Sequence, residues 1–105
     1  MKHILSFDID EIGRNEFLEH CTKNPIDNKD KIISYMEKYM VPFTNILATS
    51  SCVVDIMSGT EIKLPDNGFT DGEYLWFTSE LYHFNQYNLK LNDDFIDHVL
   101  KKVTV

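Results

Sequence analysis

The chain has 105 residues, 43% of them apolar, and a formal net charge of −7. This is a globular composition, and one domain spanning residues 1–105 can bury roughly two-thirds of the surface its unfolded chain exposes. No apolar run approaches the ~20 residues of a membrane span, and no charged start leads into an apolar leader segment, so the expected location is the cytoplasm. Cys21 and Cys52 stand apart with no C-x-x-C motif, and read as two reduced, buried thiols.

Lys2–Phe7 reads as a short strand whose adjacent Ile4 and Leu5 imply cover on both faces. After an acidic turn at Asp8–Glu11, Phe17, Leu18 and Cys21 fall at helical spacing over Arg14–Lys23. Asn15 or Asp10 is the expected cap, and Asn24-Pro25 the stop. A second helix is expected from Asn28 to Met40, capped by Asp27 and closed by Pro42, with Ile32, Ile33, Met36, Tyr39 and Met40 as its apolar stripe. Asn45–Thr49 and Cys52–Met57 read as strands, or as one strand broken by a bulge.

Ser58-Gly59 is a tight turn into a strand at Thr60–Leu64. Pro65–Gly68 is a loop, Phe69-Thr70 leads into a second turn at Asp71-Gly72, and Glu73–Phe77 alternates Tyr74 and Trp76 against Leu75 and Phe77. Thr78-Ser79 cap a helix through Tyr87, and Asn92 caps a last helix from Asp93 to about Lys102. There Phe95, Ile96, Val99, Leu100 and Val103 share one face, and the terminal charges complement the helix dipole. The order β-α-α-β-β-β-α-α, with strands grouped in the middle, predicts an α+β fold: a small central antiparallel sheet with helices packed on it.

The charge is unevenly placed. Residues 1–39 carry eight acids and six bases, whereas residues 40–100 carry nine acids against only Lys63 and Lys90. Such a field repels phosphate backbones and anionic lipid, which argues against nucleic acid or membrane as a direct partner. It favours fast association with a cationic protein surface.

Catalytic patterns are sparse. Phe7-Asp8-Ile9-Asp10 after an apolar strand resembles the D-x-D of aspartate-nucleophile phosphatases, which would make the chain a small Mg²⁺-dependent hydrolase using Asp8 and Asp10. That family continues Gly-Thr where this chain continues Glu11-Ile12-Gly13, so an acidic connection with a capping role is the better account. His3, His20, His83 and His98 show no metal-ligand spacing, and the four glycines form no phosphate loop. Asp94 and His98 are neighbours on one helix face and read as a surface ion pair. No catalytic residue, metal or cofactor is expected, and the chain does not read as an enzyme.

The block from Val53 to Val99 carries a resemblance. Asp55-Ile56-Met57-Ser58-Gly59 resembles a D-x-x-T-G strand and turn with Ser58 in the Thr position, and Thr70–Trp76 resembles T-D-G-x-[WY]-x-W. Leu81–Tyr87 resembles L-x-Y-Y-x-x-x-Y, followed by Leu91–His98. Together these are similar to the small cytoplasmic immunity proteins of bacterial polymorphic toxins, including those of contact-dependent growth inhibition. The resemblance implies a protein that neutralises a cognate toxin with a basic surface, a nuclease above all, by covering its phosphate-binding groove. The carboxylates then expected at the interface are Asp66, Asp71, Glu73 and Glu80 around the Asp71-Gly72 turn, with Asp8, Asp10 and Glu11 as a second patch. A non-catalytic adaptor module is the remaining alternative.

Overall fold

The alternation Tyr74-Leu75-Trp76-Phe77 decides the architecture. Tyr74 and Trp76 are buried while Leu75 and Phe77 are half-buried, so this segment is covered on one face by the main core and on the other by thinner packing. In the computed structural model, which describes residues 2–40 and 52–103, that segment is the middle strand of a three-stranded sheet.

The elements in chain order are β1 (Lys2–His3), α1 (Arg14–Glu19), α2 (Lys29–Lys38), β2 (Cys52–Val54), β3 (Glu61–Pro65), β4 (Gly68–Thr70), β5 (Tyr74–Phe77), α3 (Thr78–Tyr87) and α4 (Asp93–Val103). The fold is α+β as expected, with one strand more than the sequence pattern gives and with its strands divided between two sheets. β4 pairs antiparallel to β5 through the turn at Gly72, whose φ of 104° suits glycine. β1 joins the other edge of β5 in parallel, with Lys2 opposite Tyr74 and His3 opposite Leu75. β2 and β3 form a separate antiparallel ribbon with an irregular register between Cys52 and Val54. The expected strand at Asn45–Thr49 and the Pro42 stop lie outside the described residues.

Helix boundaries follow local chemistry. α1 begins at Gly13 rather than at Asn15 or Asp10 and ends at His20, well before Lys23. The reason is tertiary: Cys21 bridges to Leu89, and the Thr22 and Lys90 amides donate to the carbonyls of Asn88 and His20. Those pairings hold Cys21 to Thr22 extended. α2 is preceded by Asn28 in the left-handed region, φ 62°, rather than capped by Asp27. Its buried face is Ile32, Tyr35 and Met36, so Tyr35 belongs to the stripe and Ile33 flanks it. In α3 the Glu80 carboxylate accepts the Phe77 amide at 2.7 Å and Asp66 accepts the Ser79 amide at 3.1 Å, so two acids satisfy the open donors of one helix start.

The core joins Ile4, Phe17, Ile32, Met36, Trp76, Phe84, Leu89, Leu91, Phe95 and Val99, all essentially without solvent exposure. Trp76 is flanked by Tyr39 and Phe95 at ring separations of 6.3 and 5.9 Å, and Tyr74 meets Phe95 edge-on. The aromatic residues of the C-terminal half therefore mostly build the core. Both cysteines are free and half-buried. Among the described residues, no helix is long and apolar enough to cross a membrane.

One internal carboxylate holds the β2–β3 turn to α3. Asp55 is 4% exposed; its Oδ1 accepts the Met57 and Ser58 amides, and its Oδ2 accepts the Tyr82 and Tyr87 hydroxyls, each at 2.6 Å. Burial alone would raise its pKa, but the four donors overrule it and hold the carboxyl well below the usual carboxylate range. The Tyr87 hydroxyl is in turn pushed up to about 12, chiefly by its bond to that carboxylate. Asp55→Ala is expected to destabilise the fold by about 3 kcal/mol, since it strands several donors at once. Chemical denaturation measures this; a loss under about 1 kcal/mol would show that Asp55 does not hold the turn.

Candidate functional site

The expected interface carboxylates divide between the interior and the surface. Asp71, placed at the surface by the sequence reading, is internal: its side chain is 1% exposed. Its Oδ1 accepts the Glu73 and Tyr74 amides, which shapes the β4–β5 turn, and its Oδ2 takes the Tyr35 hydroxyl at 2.5 Å and His98 Nε2 at 2.7 Å. Burial pushes its pKa upward, but these donors win and the carboxyl titrates below its ordinary range. His98 thus pairs with Asp71, and at 3.6 Å with Glu73, rather than with Asp94 on its own helix. Glu80 is also internal, at 2% exposure. Neither Asp71 nor Glu80 can present its charge to a partner while the fold is intact. Glu73, with a side chain 63% exposed, can.

The second patch is outward, and it meets part of the first. Asp8, Asp10 and Glu11 are exposed, on a turn stabilised by the Asp10 amide donating to Asp8 Oδ1 at 2.9 Å. Because β1 docks beside β5, the segment that follows it lies against the start of α3. Between them opens a cleft of about 750 Å³, reached by Asp8 and Asp10 from one side and by Asp66 and Glu80 from the other. Leu5, Phe7, Val54 and Phe77 supply apolar lining, and Val54 is half exposed. Among the described residues no Lys or Arg lines it. Burial raises the Asp10 pKa, and repulsion from Asp8 and Asp66 raises it further. Sequence reasoning found these acids but not the cleft, since Asp8 and Asp66 become neighbours only through strand pairing.

His3 is the residue that sequence reasoning missed. Its Nε2 lies 2.6 Å from Glu80 Oε2, at the inner end of the cleft. The Glu80 contact raises the His3 pKa against the opposing effect of burial, and Asp8 adds to the rise. Burial raises the Glu80 pKa in spite of His3 and the Phe77 amide. The imidazole of His83, which is buried, is fixed by the fold: the Ile56 amide donates to its Nε2, and its Nδ1–H donates to the Ser79 carbonyl. Among the described residues, no three His, Cys, Asp or Glu side chains converge as a metal site requires.

No family model, curated protein or solved structure matches the chain.

Both His3 and Glu80 hold protons more tightly in the folded state than in the unfolded chain. Their stabilisation is complete below the ordinary values of 4.5 for Glu80 and 6.5 for His3, and is lost as pH rises through the higher folded values. Asp55 and Asp71 act in the opposite sense, and their contribution is lost only as pH falls below 3.8. Stability is thus expected to fall as pH rises above 4.5, through the loss of the Glu80 contribution, and further above 6.5, through that of His3. In Glu80→Gln, the amide oxygen still accepts the Phe77 amide and the NH₂ can donate to neutral His3, so the fall should flatten. Denaturant midpoints across that range check this; an undiminished slope in Glu80→Gln would place the linkage elsewhere.

Proposed function

We propose that the chain is an immunity protein, which binds a cognate toxin, a nuclease, in the cytoplasm and neutralises it by covering its basic active-site surface. The observation that carries this reading is the cleft at the junction of the N-terminal segment and α3, walled by carboxylates, lined below by apolar side chains, and without Lys or Arg among the described residues. A nuclease must hold phosphates with Lys and Arg, and a surface of opposite sign competes with its substrate and speeds encounter. Apolar side chains beneath such a rim give a long cationic side chain somewhere to lay its aliphatic stem. The resemblance of Val53–Val99 to immunity proteins supports the same reading.

The interface carboxylates in this proposal are Asp8, Asp10 and Asp66, which line the cleft, with the exposed Glu11 next to Asp10 and Glu73 on a separate turn. Asp71 and Glu80 drop out, because their oxygens are engaged inside the fold. No catalytic residue is assigned. The internal ionisable groups Asp55, Asp71, Glu80 and His83 each have a structural partner, which is what a binding inhibitor needs of them.

The test uses the product of the reading frame immediately upstream. Its expression alone should arrest growth, and co-expression of this chain should relieve the arrest. Asp10→Lys with Glu11→Lys, two exposed positions whose replacement leaves the fold intact, should slow association about tenfold at low salt and flatten its salt dependence. An upstream product that is harmless, or association kinetics that the double substitution leaves unchanged, would refute the assignment.

A further inference from the structure

The second feature of the surface has the opposite sign. A groove of about 620 Å³ runs along the seam between α2 and α4, remote in sequence from the acidic cleft, and Lys31, Lys38 and Lys102 line it. Lys31 and Lys38 stand two turns apart on α2 and so share a face, with Ser34 between them. Lys102 reaches the groove from the last turn of α4. Tyr39 and Val103 add apolar wall, and Asp30 is the single acid at the rim.

Helix electrostatics account for part of this cluster only. Lys38 and Lys102 lie in last turns, where the dipole favours a cation. Lys31 lies in the first turn of α2, where a cation is disfavoured. Its neighbour Lys29 is explained by its fit, since that ammonium donates to the Asn85 carbonyl and to Asn88 Oδ1. No hydrogen bond or ion pair among the described residues occupies the Lys31 or Lys102 ammonium. Three lysines thus line one groove of a chain whose net charge is −7, and only Asp30 at the rim and the Tyr39 ring, 5.5 Å from the Lys38 ammonium, offset their like charge within it.

We infer that the α2–α4 groove is a binding site for a small phosphate-bearing anion. Its lysines would take the phosphate oxygens as charge-assisted donors, with the Ser34 hydroxyl as a neutral one. The Tyr39 ring and Val103 would pack against the organic part, and the volume lies in the range of small-molecule sites. This inference stands apart from the toxin-binding reading, because it uses no residue of the acidic cleft.

Trp76 makes the site observable. It is the only tryptophan, and its ring lies 6.3 Å from that of Tyr39 in the groove wall. Titration of the full chain with inorganic pyrophosphate at fixed ionic strength should change Trp76 emission saturably and raise the melting temperature. Lys31→Gln with Lys102→Gln, both exposed and so compatible with folding, should weaken binding at least about tenfold, whereas Lys63→Gln on β3 should leave it unchanged. Emission that does not saturate, equal weakening by Lys63→Gln, or the same response to matched chloride would overturn the inference.

Discussion

The carboxylate of Asp71 is the point on which the C-terminal half depends. One oxygen folds the β4–β5 turn by taking two consecutive amides, and the other collects a hydroxyl from α2 and an imidazole from α4. A turn, two helices and a sheet edge therefore share a single buried charge. Two helices and a short sheet can slide against each other if only apolar contacts join them, because such contacts are non-directional. A carboxylate with four directed partners removes that freedom. Without it, the Tyr35 hydroxyl, on a residue only 6% exposed, would lose its acceptor at a cost of roughly 1–3 kcal/mol.

The same device recurs. Asp55 fixes the β2–β3 turn to α3, and Glu80 joins the start of α3 to β1 through His3. Three of the acids that make residues 40–100 so negative are thus internal fasteners, and each is matched by directed donors. The outward field comes instead from the acids of the N-terminal turn, from Asp66 and Glu73, and from the exposed Glu61, Asp93, Asp94 and Asp97. An acidic composition here has two separate origins, one structural and one facing solvent, and only the second is available to a partner.

How far the sequence discloses this depends on range. α4 is legible because its stripe and its end charges agree within one segment, although the Asn92 side chain before it donates to the His3 carbonyl. The alternation of Tyr74 to Phe77 is legible for the same reason. Tyr35 completes the spacing set by Ile32, Met36 and Tyr39, so its burial could have been read from the pattern; its bond to Asp71 could not. β4 is too short to show alternation and exists as a strand only through its pairing with β5. Glu80 sits at the third position of a helix, a local signal for capping, yet its burial follows from docking of His3 from the far end of the chain. The acids of the cleft were visible one by one, while their meeting place was a product of the β1–β5 pairing.

That parallel pairing has a consequence for when the cleft exists at all. β1 is only two residues long and meets a partner 72 positions away, Lys2 against Tyr74, so closing the loop costs entropy that few local contacts offset. β4, β5, α3 and α4 make contacts near in sequence, whereas docking of the N-terminal segment is a long-range step. Until it arrives there is no wall carrying Asp8 and Asp10, and no cleft. Occupation of the cleft is therefore coupled to docking of the N-terminal segment. Anything held between that segment and α3 ties the N-terminal segment to the C-terminal half, and stabilises the whole protein by mass action rather than one surface of it.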